Sequence, residues 1–307
     1  MNRSAPGRVC VVGSLNVDTT LRVPVLPGPG QTTLASGRSV AAGGKGANQA
    51  VAARWQGSEV TLVAAVGDDR EGRASLSDLQ ARGIDVSAVQ VLPDTPTGAA
   101  VVLVADDGEN VIIVDPSANA ALEPGWVRHQ VTLARPDVVV AQLEVPLSCV
   151  RAAAEVSTAK HFILNPAPMP SIRAELDGLL ALVDVLVPNR PELAQLVAAD
   201  LPVTLDDVDR CARRLAFAGT LVVTLGREGV AVYGDQGRRR VAHVAAAVVE
   251  VLDTTGAGDA FCGVLADQLA RGVTMVDAVE QATRVAGLST TVRGAQLPSS
   301  LDPLDQR

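Results

Sequence analysis

The sequence predicts an α/β fold: a doubly wound, mostly parallel sheet with a small β-sheet lid. Three observations predict it. Four apolar, β-branched runs end in polar or glycine residues, with helical segments between them: 137–141 before Gln142-Leu143-Glu144, 162–164 before Asn165-Pro166, 183–187 before Pro188-Asn189, and 221–225 before Gly226-Arg227. Strands covered on both faces are apolar throughout, and such sheets bind ligands past the carboxyl ends of their strands. Residues 248–269, VVEVLDTTGAGDAFCGVLADQL, read as a buried strand, a glycine turn and a helix whose apolar positions are 260, 261, 264, 265 and 269. Finally, segments 19–41 and 98–116 lack a helical stripe and look like short strands outside the main sheet.

Taken in order, residues 9–12 form a first strand, followed by Gly13-Ser14-Leu15-Asn16-Val17-Asp18. Asn16 and Asp18 lie two apart, so on an extended chain they share a face. An amide beside a carboxylate grips vicinal hydroxyls, both donating and accepting; an ordinary Asx turn is the alternative. Segment 19–41 alternates and carries Pro24, Pro27 and Pro29. In segment 98–116 two β-branched runs flank Asp106-Asp107-Gly108, a hairpin signal. Together the two segments would form a lid inserted into a single α/β domain spanning 1–307. Between them, Gly43-Gly44-Lys45-Gly46-Ala47-Asn48 turns into an Ala-rich helix. It is not a P-loop, because Ser39 stands at the glycine position and Gly46 follows the lysine. Lys45 is one of two lysines in the chain. A helix start disfavours a cation, so Lys45 and Asn48 are read as facing a polar ligand.

Residues 60–66 and 86–92 read as strands around a helix that ends near Gly83, with Asp68 and Asp69 as caps. Glu144 lies past a strand end. Asn189 and Glu192, spaced i, i+3, share a face if a helix starts there. The pair suits a water-shelled Mg²⁺ or simply a helix start with a favourable glutamate. Thr224 and Gly226 suit nucleotide phosphate contacts. In the glycine turn, Gly256, Ala257 and Gly258 bring main-chain N–H groups to a helix N-terminus, a site for an anion. Asp259 inside that turn is read as a base beside the anion site, or as a residue that only complements the helix dipole. Residues 289–300, STTVRGAQLPSS, offer main-chain oxygens that with Asp253 make a weak case for a monovalent-cation cage.

Composition narrows the classes. With 307 residues, 48% of them hydrophobic, the chain can bury a large core. A net charge of −8 without a basic block argues against nucleic acid and membrane surfaces. The four cysteines, Cys10, Cys149, Cys211 and Cys262, form no C-x-x-C and are expected to be reduced and packed, as in the cytoplasm. The first residues resemble no signal peptide, and no apolar run reaches membrane-spanning length. No G-x-G-x-x-G follows the first strand, which removes a dinucleotide-binding dehydrogenase.

GSLNVD, GGKGANQAVAA, QLE, PNRPE, TLGREG, DTTGAGD and RGAQ occur in the order and spacing of the ribokinase family of sugar kinases, and the chain resembles that family from Gly13 to about Ser299. The resemblance implies that Asn16, Asp18, Gly44, Lys45, Asn48 and Glu144 bind a ribose and that Asp259 activates its 5-hydroxyl. It implies an anion hole of Gly256, Ala257 and Gly258, and an ATP site along Asn189, Thr224, Gly226, Gly229 and Thr283. Asn189 and Glu192 would attend Mg²⁺. Asp253, Thr255, Ser289, Val292 and Gly294 would supply oxygens to K⁺, with Ser299 or Pro298 in the last position, because Leu297 interrupts the usual GAQ-P-S. The acceptor would be ribose or another furanose or nucleoside such as deoxyribose, fructose or adenosine; the scarcity of aromatic residues, 2%, leans away from a nucleoside. Two lids would pair in a homodimer. Arg190-Pro191 inside PNRPE keeps the family's spacing, and Ser117 replaces a usual glycine, a change expected to be without consequence.

Overall fold

The computed structural model describes residues 6–171, 173–298 and 301. The strands are β1 Arg8–Val12, β2 Asn16–Val23, β3 Gly37–Gly43, β4 Glu59–Val63, β5 Ala65–Gly67, β6 Gln90–Leu92, β7 Gly98–Ala105, β8 Asn110–Asp115, β9 Val138–Ala141, β10 His161–Leu164, β11 Val185–Leu186, β12 Thr220–Thr224, β13 Val230–Gly234 and β14 Arg239–Val244. The helices are α1 Lys45–Gln56, α2 Arg70–Ala81, α3 Pro124–Ala134, α4 Leu147–Val156, α5 Asp177–Leu180, α6 Arg190–Leu196, α7 Leu205–Leu215, α8 Ala257–Ala270 and α9 Met275–Ser289.

Among the described residues the main sheet has eight strands, in the order β14-β13-β12-β11-β10-β9-β1-β4. All neighbours from β12 to β4 run parallel, and β13 and β14 add an antiparallel edge. Period-two alternation divides its side chains between two cores. Val9, Val11, Leu62, Val138, Val140 and Ile163 face α1, α8 and α9 through Val51, Phe261, Leu265 and Val279. Cys10, Val12, Val139, Phe162, Leu164 and Leu221 face α3, α4, α6 and α7 through Val127, Val150, Leu193 and Val208. Each large side chain so buried stabilises the fold by about 1.5–3 kcal/mol before entropy is counted. No helix among the described residues is long and apolar enough to cross a membrane.

A second sheet, β3-β2-β7-β8, springs from the carboxyl edge of β1. Strands β2 and β3 pair antiparallel, β2 and β7 parallel, and β7 and β8 as a hairpin. Its outer strand β8 leaves Val111, Ile112, Ile113 and Val114 exposed.

The sequence misleads in three of the stretches read as strands. Residues 248–252 are not a buried strand: the segment is irregular, Val248 is fully exposed, and Leu252 and Asp253 both donate to the Thr290 carbonyl, at 2.7 and 3.0 Å. Among the described residues these valines pair with no strand, and β propensity without a partner decides nothing. The run 60–66 breaks at Ala64, since β5 leaves β4 to pair with β6. The run 86–92 is a strand only from Gln90, because the Asp85 carboxylate accepts the Ser87 N–H at 2.9 Å and turns the chain. Ser117 occupies a left-handed conformation, φ 40°, where a glycine would sit freely; its N–H and hydroxyl donate to Asp115 at 3.2 and 2.8 Å and hold it there. Asp69 caps α2, accepting the Gly72 N–H at 2.7 Å.

Candidate active site

Three helix starts converge at the carboxyl edge of the sheet. They are the first residues of α1, α6 and α8, and with the ends of β11 and β12 they border a cleft of about 120 Å³. Lys45, Asn165, Asn189, Glu192, Thr224, Gly256, Gly258, Asp259 and Cys262 line it, and no aromatic side chain does.

The turn into α8 needs its glycine. Gly256 has φ 74°, and a Cβ there would lie 2.2 Å from the Ala295 carbonyl oxygen. No side chain caps the helix that follows, so its first turn presents amides and a positive dipole end. Asp259 stands in that turn and is buried, 6% exposed. Its Oδ2 accepts from Asn48 Nδ2 and its Oδ1 from Gln49 Nε2, both at 3.0 Å. Burial pushes its carboxyl upward against the opposing pull of Lys45, Asn48 and Gln49.

Around Lys45 the charges are mostly acidic. Glu144 accepts the Lys45 main-chain N–H at 3.0 Å and the Ser14 hydroxyl. Burial draws the Lys45 ammonium down, but Asp259, Glu144 and Glu192 outweigh it and raise it. Asp18 is pushed up to about 6, by burial first and then by Glu144 and Asp259. Glu192 is raised mainly by burial. Two oxygens of residues neighbouring Asp259, Asp18 Oδ1 and Asn48 Oδ1, are buried without a hydrogen-bond partner, the condition of groups that a polyhydroxylated ligand satisfies. Asn16, by contrast, is engaged: its Oδ1 accepts from Asn119 Nδ2 at 2.7 Å. Gly44 precedes α1 with φ 88°.

Asn189 and Glu192 close a reciprocal capping box at the start of α6. Asn189 Oδ1 accepts the Glu192 N–H at 2.8 Å, and the Glu192 carboxylate accepts the Asn189 N–H and Nδ2, each at 2.9 Å. The helix-start reading is therefore satisfied, while both residues still line the cleft. Thr224 lies beside them, bridged to Asn189. Gly226 and Gly229 flank a short 3₁₀ turn after β12 and do not line the cleft. Thr283 donates to the Val279 carbonyl within α9 at 2.7 Å. No cluster of three or more His, Cys, Asp or Glu among the described residues forms a metal cage.

The segment that sequence reading offered for a cation makes internal hydrogen bonds. Asp253 accepts the Thr255 N–H at 2.9 Å and the Gly294 N–H at 3.0 Å, and these bonds hold its carboxyl below the usual range despite burial. Ser289 donates to the Ala286 carbonyl at 2.8 Å, and the Val292 N–H donates to Ser289. Ser299 lies outside the described residues.

Sequence reasoning missed Ser14, Gln49, Asn119, Gln142, Asn165 and Cys262. Gln49 stood beside Asn48, and Ser14, Gln142 and Asn165 stood at strand ends, inside stretches already singled out but without a role given to them; Asn119 and Cys262 carried no local signal.

Comparison with known proteins bears on this arrangement. Residues 7–302 match the pfkB family carbohydrate kinase. The ribokinase of Schizosaccharomyces pombe is 34% identical over 310 residues, covering 96% of each chain. The deoxyribokinase of Salmonella typhimurium is 36% identical over 306 residues, covering 97% of this chain and 96% of its own. The structure of Arabidopsis thaliana ribokinase complexed with ribose and ATP superposes with a TM-score of 0.81 at 28% identity, covering 95% of both chains.

Proposed function

The chain belongs to the pfkB family of carbohydrate kinases, and we propose that it transfers the γ-phosphoryl of ATP to the 5-hydroxyl of D-ribose. One observation carries the mechanism: a buried carboxylate, Asp259, stands in the first turn of an uncapped helix and opens onto the cleft. Asp259 takes the proton of the primary hydroxyl. The oxygen forms a bond to the γ-phosphorus as the bond to the β-phosphate bridge breaks, and ADP leaves with that electron pair. The amides of Gly256, Ala257 and Gly258 face the charge that develops on the transferring group.

The sugar side comprises Asn16, Asp18, Gly44, Lys45, Asn48 and Glu144, and the unpartnered oxygens of Asp18 and Asn48 support it. On the nucleotide side are Asn189, Thr224, Gly226, Gly229 and Thr283. The donor set at Asn189 and Glu192 suits an ion that keeps most of its water, since the Glu192 oxygens already accept from Asn189. Mg²⁺ bound there would neutralise phosphate charge. Asp253, Thr255, Ser289, Val292, Gly294 and Ser299 would hold K⁺, and the ionised Asp253 suits it. The exposed apolar residues of β8 support a second copy of this chain as the partner of the small sheet, a lid closing over the sugar. The four free, buried cysteines suit a reducing cytoplasm.

A second reading, 2-deoxyribose as acceptor, draws support from the 36% identity to a deoxyribokinase. The two sugars differ by one hydroxyl. Where that hydroxyl is matched by a buried polar group, its loss leaves the group unpaired at about 1–3 kcal/mol, roughly tenfold or more in kcat/KM.

ADP release from Mg·ATP, measured against ribose, 2-deoxyribose, fructose and adenosine, tests both readings. Ribose is expected to give the highest kcat/KM, and a higher value for 2-deoxyribose would transfer the assignment. In the same assay Asp259→Asn is expected to lower kcat about 10²–10⁴-fold with ATP binding retained. Near-normal turnover by that variant would end the mechanism.

A further inference from the structure

We propose that Gln49 is a positioning residue for Asp259 and that Gln142 positions Gln49 in turn, so that two buried side-chain amides hold the base in register. The proposal rests on the reading of Asp259 as the base. Its geometry is a continuous chain. Gln142 Nε2 donates to Gln49 Oε1 at 2.7 Å, and Gln49 Nε2 donates to Asp259 Oδ1 at 3.0 Å. Both glutamines are 0% exposed. Neither lines the cleft, so neither touches a ligand there. A buried amide is destabilising unless its hydrogen bonds are made, and the bonds these two do make run along one line that ends on a carboxylate.

The direction of that line is dictated by charge. An ionised carboxylate only accepts, so Gln49 must turn its NH₂ toward Asp259. Its carbonyl then faces Gln142, which must also present NH₂. The carbonyl of Gln142 is left at the far end, and Gln142 Oε1 is buried without a partner. It lies against Gly13, where a Cβ would come within 1.9 Å of it. The absent side chain at 13 is what admits this end of the relay. The other end depends on the close approach of α1 to α8: a Cβ on Gly263 would lie 2.3 Å from the Gln49 carbonyl oxygen.

The relay performs a task that Asn48 does not perform alone. Asn48 grips Oδ2 while its own Oδ1 remains unpartnered, so Asn48 can be drawn toward another donor. Gln49 grips the other oxygen from the packed interior, beyond the reach of any ligand. With each oxygen held by its own donor, rotation of the carboxylate breaks one bond or the other.

The test is steady-state kinetics on the full chain, with Gln49→Met and Gln142→Met as variants of similar volume and Asp259→Asn as reference. Gln49→Met is expected to lower kcat about tenfold or more, because a hydrogen bond to a charged group is lost. KM for sugar and for ATP should stay within about twofold, the signature of an interaction not made with substrate. The acid limb of the kcat/KM profile should rise by about one pH unit, since a donor to the ionised form has been removed. Gln142→Met should move kcat and the acid limb in the same directions by less, although it does not touch Asp259. An unmoved acid limb with unchanged kcat, or a loss confined to KM, overturns the relay. If Gln49→Met does not fold, Gln142→Met decides: a shifted acid limb supports the relay and an unshifted one overturns it. Turnover retained by Asp259→Asn would instead remove the base itself, and the relay with it. An inactive Asp259→Asn beside normal glutamine variants would remove the relay alone.

Discussion

Replacing Asp18 by Asn should make the empty protein more stable at neutral pH while weakening its hold on sugar. Burial first, and then Glu144 and Asp259, push the Asp18 carboxyl from its ordinary 3.8 up to about 6. The folded protein therefore binds this proton more tightly than the unfolded chain. The resulting stability is fully present below about pH 3.8 and is lost as pH rises through about 6. At 1.36 kcal/mol per pH unit the gap amounts to about 3 kcal/mol. Asp18 is only partly buried, and screening by solvent reduces that to about 1–2 kcal/mol. An asparagine carries no charge and escapes the penalty. Urea unfolding of both proteins at pH 8 and pH 5, without ligand, measures it. The variant is expected to be more stable by about 1–2 kcal/mol at pH 8, with roughly half that advantage at pH 5, where part of the window has been crossed. An advantage that stays constant with pH, or one that grows on acidification, would refute the reasoning. Calorimetric titration with ribose supplies the other half: affinity should fall in the variant, because the ionised carboxylate accepts hydroxyl protons better than an amide does.

Two further outcomes follow from the same cleft. Gly256→Ala forces a side chain into φ 74° and against the Ala295 carbonyl, so the left-handed backbone alone should cost about 1–2 kcal/mol; thermal melting should show a lower Tm and the coupled assay a lower kcat, and an unchanged Tm would contradict the strained turn. Exchanging K⁺ for tetramethylammonium should lower turnover, and Asp253→Asn should abolish that response; a variant that still responds to K⁺ would exclude Asp253 from the cation site.

What the sequence revealed was local. The runs at 9–12, 138–141 and 162–164 were legible because strands buried on both faces must be apolar throughout. The same rule failed at residues 248–252, where equally β-branched residues lie past the last strand, exposed and unpaired. It also passed over β13 and β14. Their turn at Asp235-Gln236-Gly237, all with positive φ, was a hairpin signal in plain view. In the site, Lys45, Asn48, Glu144 and Asp259 announced themselves through glycine-rich motifs or strand ends. Gln142 and Ser14 also stand at strand ends, but their roles, like that of Asn119, lie in bonds across 93, 130 and 104 positions of sequence. A lone buried glutamine has no periodicity or spacing that marks it.

The charges around Lys45 explain why the glycine turn, rather than a basic patch, must receive the phosphoryl group on the proposed reading. Asp259, Glu144 and Glu192 act on one ammonium, and Asp18 adds a further carboxyl beside Glu144 and Asp259, so acidic groups outnumber the single cation that a polyanion would meet. Three helices begin there, and a helix start is the one neutral element that attracts anions. The start of α6 is closed by its own capping box of Asn189 and Glu192. At α1 the first N–H is taken by Glu144, drawn from 99 positions away. Neither α1 nor α8 has a side-chain cap at its N-cap glycine, but at α1 the N–H groups of Lys45 and Gly46 already donate to Glu144 and Ser14, so of these three α8 is the one whose first turn meets no side-chain acceptor. A side-chain cap at residue 256 would satisfy that turn and stabilise the helix, but it would fill the place where charge must accumulate. Glycine there serves two ends: it makes the left-handed turn and brings no side-chain acceptor to the amides, of which Ala257 N–H donates only to the Thr254 carbonyl at 3.3 Å, with the carboxylate of Asp259 beside them.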